Sequence, residues 1–262
     1  MLPIYQAIEY KETILLGGST YPWYVILSVK DKPVDYVVKV FNKKQLQQNP
    51  AVAKEVYGNI LAKEFDLFTP DACLVEFNEE FINSLPDRVK SIIDTKDNRL
   101  KFAVKFIDAA QMYLPSSHNK IIDNHNKDLI YAFDNFILNA DRKLNKPNIL
   151  IKGNDFVLID HELTLSVNDT IKETFLNQNW IYDYKNHIFF HDLKKFKNKN
   201  QCFETFVDYI KVLPINKLDS YAKQLRDIGH EDADIESIKN YLTLIKNNKE
   251  KFVNILRASI AN

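Results

Sequence analysis

Residues 139–160 read NADRKLNKPNILIKGNDFVLID, with two aspartates and an asparagine at the edges of two short apolar runs. Asp141 precedes Asn148 by seven residues, and Asp160 closes the second run. In an antiparallel hairpin the start of one strand lies beside the end of the next. Asn148 and Asp160 are therefore expected to be neighbours, with Asp141 facing the same point across one loop. Two carboxylates and an amide oxygen are hard donors of the kind magnesium prefers, and one carboxylate can serve a reacting hydroxyl. The chemistry this suggests is phosphoryl transfer from ATP, where catalysis is mostly positioning and charge neutralisation. Taken singly, each residue is equally an ordinary turn or cap residue; only the set points to a site.

Such chemistry also needs a cation on the nucleotide phosphates and an acid to orient it. Lys39 lies in the apolar stretch YVVKVF. A lone ammonium is costly to bury, so this lysine calls either for an anion or for water at a sheet edge. Glu55, in the next helical stretch, is the natural carboxylate partner, although its spacing alone fits a solvated helix position. Gly17-Gly18-Ser19-Thr20 sits at a turn where glycine lets the backbone approach a ligand closely.

These residues need elements to hold them. ETILLGGS, YPWYVILSV and VDYVVKVF are rich in β-branched and aromatic residues and read as a three-stranded antiparallel meander. NPAVAKEVYGNILAKEF has apolar residues at helical spacing, with Asn49 as cap and Pro50 in the first turn. DACLVEF and KFAVKFI read as two more strands around a polar, partly helical insertion. NKIIDNHNKDLIYAFDNFILNA is a helix with one apolar face, and NILI and FVLI form a hairpin across Lys152-Gly153-Asn154-Asp155. From about residue 170 the chain reads as helical, ending in one long amphipathic stretch. The predicted organisation is an α+β, two-lobed fold. Residues 1–107 form a β-rich N-terminal lobe with one helix, and residues 108–262 a mostly helical C-terminal lobe.

The bulk properties narrow the function classes. The 262 residues carry 35 Lys plus Arg and 35 Asp plus Glu, which argues against nucleic acid as a direct partner. No apolar run approaches a membrane span, so a cytoplasmic protein without a membrane partner is expected. Cys73 and Cys202 are far apart and read as free buried thiols. His118 and His125 lack a third ligand for zinc. His187 and His191 are spaced to share a helical face in a packing and solvent role, and His161 either orients Asp160 or fills its loop.

The segment FDNFILNADRKLNKPNILIKGNDFVLIDHE resembles the HipA-like kinases and, more distantly, the phosphatidylinositol 3/4-kinase superfamily. The order Asp-Arg, Asn, Ile-Asp is how that group arranges its catalytic and metal-binding loops. The H-R-D and D-F-G motifs of other protein kinases are missing. GGSTYPW, the YVVK strand and the Glu-bearing helix extend the likeness over residues 12–165.

The resemblance implies a role for each residue. Asp141 takes the proton of the substrate hydroxyl, and Asn148 and Asp160 hold Mg2+. Lys39 contacts the α- and β-phosphates of ATP and pairs with Glu55. Lys105-Phe106-Ile107 is the hinge that holds adenine, and Gly17, Gly18, Ser19 and Thr20 cover the phosphates. Ser19 and Thr20 are also candidates for autophosphorylation. The wider superfamily more often places five residues between the Asp and the Asn, which makes Asn145 a rival to Asn148. The resemblance implies ATP between the lobes and a serine/threonine kinase acting on a protein substrate. It also implies a bacterial toxin-type role with a small DNA-binding antitoxin as partner. A lipid or small-molecule kinase on the same fold, and an inactive pseudokinase binding module, remain the alternatives.

Overall fold

A computed structural model describes residues 1–15, 20–114, 126–180 and 185–261. The chain forms two compact units. The first comprises Met1–Val56, Pro70–Asp108 and Ser220–Ala233; the second comprises Tyr57–Thr69, Ala109–Asp219 and Asp234–Asn262.

The first unit is built on a closed five-stranded barrel in the order β1-β2-β3-β5-β4. Its strands are β1 (Ile4–Thr13), β2 (Trp23–Val29), β3 (Lys32–Val38), β4 (Ala72–Glu76) and β5 (Lys101–Lys105). Strands β1, β2 and β3 form the expected antiparallel meander. The first of them lies earlier than ETILLGGS suggests, in IYQAIEYKET. There its long pairing with β2 absorbs two register shifts, between Ala7 and Glu9 and between Tyr10 and Glu12. The parallel pairing of Ile4 with Leu74 brings β1 against β4 and closes the ring. Trp23, Val25 and Leu27 alternate into the barrel core at the two-residue period of a strand.

The expectation of one helix before residue 107 is corrected. Besides α2 (Ala51–Glu64), the chain forms α1 (Lys43–Gln48), and the insertion expected to be partly helical supplies α3 (Glu79–Ser84) and α4 (Asp87–Ile93). Asn42 starts α1 with a reciprocal capping box to Gln45, and Asn78 caps α3 through the Phe81 amide.

In the second unit, α5 (Lys127–Phe136) is buried along nearly its whole length. Its phenylalanines meet a ring cluster in which Phe65 stacks on Phe206 at 5.2 Å and lies 5.3 Å from Phe133. A small sheet in the order β6-β7-β8 lies within the same unit, with β6 at Gln111–Met112, β7 at Ile149–Lys152 and β8 at Asp155–Leu158. Strands β7 and β8 are the expected hairpin, and Gly153 supplies the left-handed φ of +62° at its turn. The remaining elements are helical: α6 (Asp169–Leu176), α7 (Phe190–Lys194), α8 (Glu204–Val212), α10 (Ile235–Asn247) and α11 (Lys249–Ala261), while α9 (Leu218–Asp227) crosses into the first unit. The long terminal stretch is two helices. Asn248 breaks it, with its side-chain amide donating to the Leu244 carbonyl at 2.8 Å.

Candidate active site

The loop after α5 is tied to that helix by Asn139. Its Nδ2 donates to Asp134 Oδ1 at 2.8 Å, and its Oδ1 accepts the Asp141 amide at 3.2 Å. Asp141 is thereby set just beyond a rigid, buried helix. The chain then makes a tight turn in which Lys143 and Lys146 exchange backbone hydrogen bonds of 2.9 and 3.1 Å. Leu144 and Asn145 are exposed at its tip.

Asn148 enters the hairpin with φ +49° and Asp160 leaves it with φ +64°. Asparagine and aspartate tolerate this left-handed region better than other side chains that carry a Cβ. The Ile159 amide donates to the Asn148 carbonyl at 3.1 Å, so the two ends of the hairpin adjoin. Asn148 Nδ2 lies 3.2 Å from Asp141 Oδ2. The geometry therefore brings Asn148, rather than Asn145, to Asp141.

Lys146 joins the group. Its Nζ lies 2.5 Å from Asp141 Oδ2 and 3.6 Å from Asp160 Oδ2. Burial alone would lower its pKa. The hydrogen bond to Asp141 and the charges of Asp160, Asp141 and Glu162 outweigh this and raise it.

Beneath these residues lies a buried polar network. Arg142 Nε donates to Asp134 Oδ2 at 2.6 Å, with both side chains fully buried. Its Nη1 donates to both the Asn148 and Ile159 carbonyls, and Nη2 lies 3.5 Å from His161 Nε2. One guanidinium thus fixes the backbone just before both ends of the hairpin. His187 Nε2 donates to Asp134 Oδ2 at 2.9 Å, while its Nδ1 accepts the Phe189 amide at 3.2 Å. These two bonds fix the neutral tautomer, in keeping with a pKa that burial pushes down against the pull of Asp134. For Asp134, burial acts upward, but Arg142 and His187 outweigh it and hold the carboxyl below its ordinary range. His187 and His191 do not share a helical face: His187 precedes α7 and is buried, whereas His191 is exposed.

In the first unit, Lys39 Nζ lies 3.1 Å from Glu55 Oε1, with their side chains 11% and 2% exposed. Lys39 directly follows β3, and its amide donates to the Phe102 carbonyl at 2.9 Å. A closed barrel has no open edge here, so the lysine is held against an anion rather than left in water. Farther along α2, Gly58 abuts His161: a Cβ on it would meet His161 Cβ at 2.4 Å and Cγ at 2.6 Å.

At the end of β5, the Lys105 amide donates to Asp71 and the Phe106 amide to Asp35. The barrel takes these two donors of the expected hinge but not the Ile107 amide. Phe106 is 37% exposed and stacks on Tyr24 at 4.9 Å. Thr20 is buried, and Gly17, Gly18 and Ser19 lie outside the described residues, as do His118 and His125.

Asp134, Asn139, Lys146 and His187 have no role in the sequence reading. The one local signal was the polar pair Asp134-Asn135 inside the otherwise apolar face of α5. The partnership of Asp134 with His187 spans 53 residues and has no local signature.

The sequence profile of the HipA-like kinases matches residues 16–254. No curated protein sequence matches the chain. Among solved structures, the Helicobacter pylori proinflammatory kinase CtkA is similar in fold. It shares 15% identity, with 99% of this chain and 98% of that chain covered, and the TM-score is 0.52. With a family match over most of its length, an α+β fold shared with a known kinase and an Asp-Arg, Asn, Asp loop-and-hairpin, the chain belongs to the HipA-like kinases.

Proposed function

We propose that the protein is an ATP- and Mg2+-dependent kinase that phosphorylates a serine or threonine hydroxyl of a protein. The observation that carries this reading is the convergence of Asp141, Asn148 and Asp160 at one end of the hairpin, where the two carboxylates already hold a cation, the Lys146 ammonium, and Asn148 bonds Asp141. The donor set fits magnesium: carboxylate oxygens and an amide oxygen are hard ligands, and two nearby carboxylates need a positive charge between them. With Nδ2 engaged by Asp141, Asn148 has Oδ1 for the metal, alongside Asp160.

Magnesium-bound ATP would supply the γ-phosphoryl group and neutralise the charge that develops on it. Asp141 accepts the proton of the attacking hydroxyl as the new oxygen–phosphorus bond forms and the bond to the ADP oxygen breaks. Lys39 contacts phosphate oxygens, and Glu55 holds its ammonium in place. The Ile107 amide is the hinge donor for the adenine edge. Arg142 keeps the backbone before Asn148 and Asp160 in register. Family membership supports ATP as the phosphoryl donor, and the hydroxyl acceptor rests on Asp141 as the base.

Incubation with γ-labelled ATP, Mg2+ and a protein panel tests the reading. Label recovered as phosphoserine or phosphothreonine after acid hydrolysis, and lost on chelation and in Asp160→Asn, is expected. Transfer only to lipid or to a small molecule would replace the protein-substrate assignment.

A further inference from the structure

We propose that Lys146 is a resident counter-ion of the metal site, one that Mg2+ displaces only when nucleotide phosphates arrive to receive it. The inference rests on the kinase reading above and deepens it.

The ammonium of Lys146 lies 2.5 Å from Asp141 Oδ2 and 3.6 Å from Asp160 Oδ2, so it occupies the point toward which both carboxylates turn. Its placement is built into the loop. The paired backbone bonds between Lys143 and Lys146 fix where the side chain starts, and Asn148 braces Asp141 from the other side. The Lys146 side chain is 36% exposed, against 15% for Asp141 and 10% for Asp160. The carboxylates are held, while the lysine stem has room to swing out.

Two carboxylates this close repel unless a cation lies between them. Lys146 supplies that cation in the free protein and holds the pair aligned. A divalent cation arriving alone must evict the ammonium from both carboxylates without bringing it a new anion. A cation arriving with a polyphosphate brings the anion that the flexible lysine can then contact. Metal and nucleotide should therefore bind cooperatively, with the free protein a poor ligand for metal alone.

The test is titration of the full chain with Mn2+ alone, followed by paramagnetic resonance of the free ion, and repeated with a non-hydrolysable ATP analogue. Wild type should bind Mn2+ weakly without nucleotide. Lys146→Met should bind it roughly tenfold more tightly, because a unit charge beside the site is removed. Lys146→Arg, which keeps the charge, should remain weak. Lys146→Gln serves as a second neutral variant, with circular dichroism confirming that each variant is folded. The same nucleotide-free Mn2+ affinity in wild type and both neutral variants would overturn the proposal while leaving the kinase reading intact. A wild type that binds no Mn2+ with the analogue would instead remove the reading on which it rests.

Discussion

Arg142 Nε lies 2.6 Å from Asp134 Oδ2, and neither side chain is exposed. Through Nη1 the same guanidinium reaches the Asn148 and Ile159 carbonyls, directly at and just before the two candidate metal ligands. Removing the arginine leaves a buried carboxylate with only His187 and Asn139 to satisfy it. Arg142→Ala should cost about 3–5 kcal/mol of stability, as breaking a buried pair does. Arg142→Lys should recover part of the stability but not activity, because one ammonium cannot hold Asp134 and also reach both carbonyls as Nε and Nη1 do together. Urea denaturation and the rate of phosphoryl transfer, measured together, check both statements.

Asn148 and Asn145 compete for one role, and the geometry separates them. Asn145 is exposed at the tip of the turn, while Asn148 is buried with its amide on Asp141. Asn148→Gly keeps the left-handed backbone accessible and removes only the amide. It should lower transfer by about 100-fold or more, at least the loss seen when a metal site's supporting residues are removed. Asn145→Ala should stay within about threefold of wild type, as exposed substitutions away from such contacts are usually mild. Initial rates at saturating ATP decide between them.

Gly58 has no room for a side chain. A Cβ would lie within 2.6 Å of His161 Cβ and Cγ, beside the residue that leaves the hairpin. Alanine normally stabilises a helix interior relative to glycine by about 1 kcal/mol. At this position overpacking should win, and Gly58→Ala should be destabilised by about 1–3 kcal/mol. A raised melting temperature in Gly58→Ala would contradict the packing described.

Lys101 makes stability depend on alkaline pH. It is buried at the start of β5, donating to the Arg99 carbonyl at 2.6 Å and lying 5.0 Å from the Phe77 ring centroid. Burial pushes its pKa down from 10.5 to about 8, with Asp97 pulling upward and Arg99 pushing further down. Between those values the unfolded chain binds more protons than the folded one, so stability should rise with pH from about 8 toward 10.5. Below that window both states carry the charge and the effect is constant. Denaturant midpoints across the window should show the rise in wild type and a flatter profile in Lys101→Met.

The hairpin was legible because its information is local. Apolar runs of strand length flank a Gly-Asn turn, and the pairing of Ile149 with Leu158 then follows, bringing Asn148 and Asp160 together. The Lys39–Glu55 pair was legible for a different reason: an ammonium in an apolar strand requires an anion, and the next helix offered one. What stayed hidden depends on tertiary contacts. The parallel pairing of β1 with β4 joins segments about 70 residues apart, and the register shifts that let β1 run from Ile4 leave no periodic signature. Lys146 reads as one more surface lysine until the turn from Lys143 aims it at Asp141. The engagement of the Lys105 and Phe106 amides by the Asp71 and Asp35 carbonyls likewise depends on pairings between distant segments.

The mechanism turns on Asp141 as the base in a metal-dependent phosphoryl transfer. It is tested most directly by single-turnover transfer from γ-labelled ATP in wild type and Asp141→Asn, with nucleotide affinity measured in parallel. Asparagine keeps the size of the side chain but cannot take a proton. The predicted result is nearly unchanged ATP affinity with transfer slowed by about 100- to 10,000-fold. Transfer at the wild-type rate in Asp141→Asn would contradict the account.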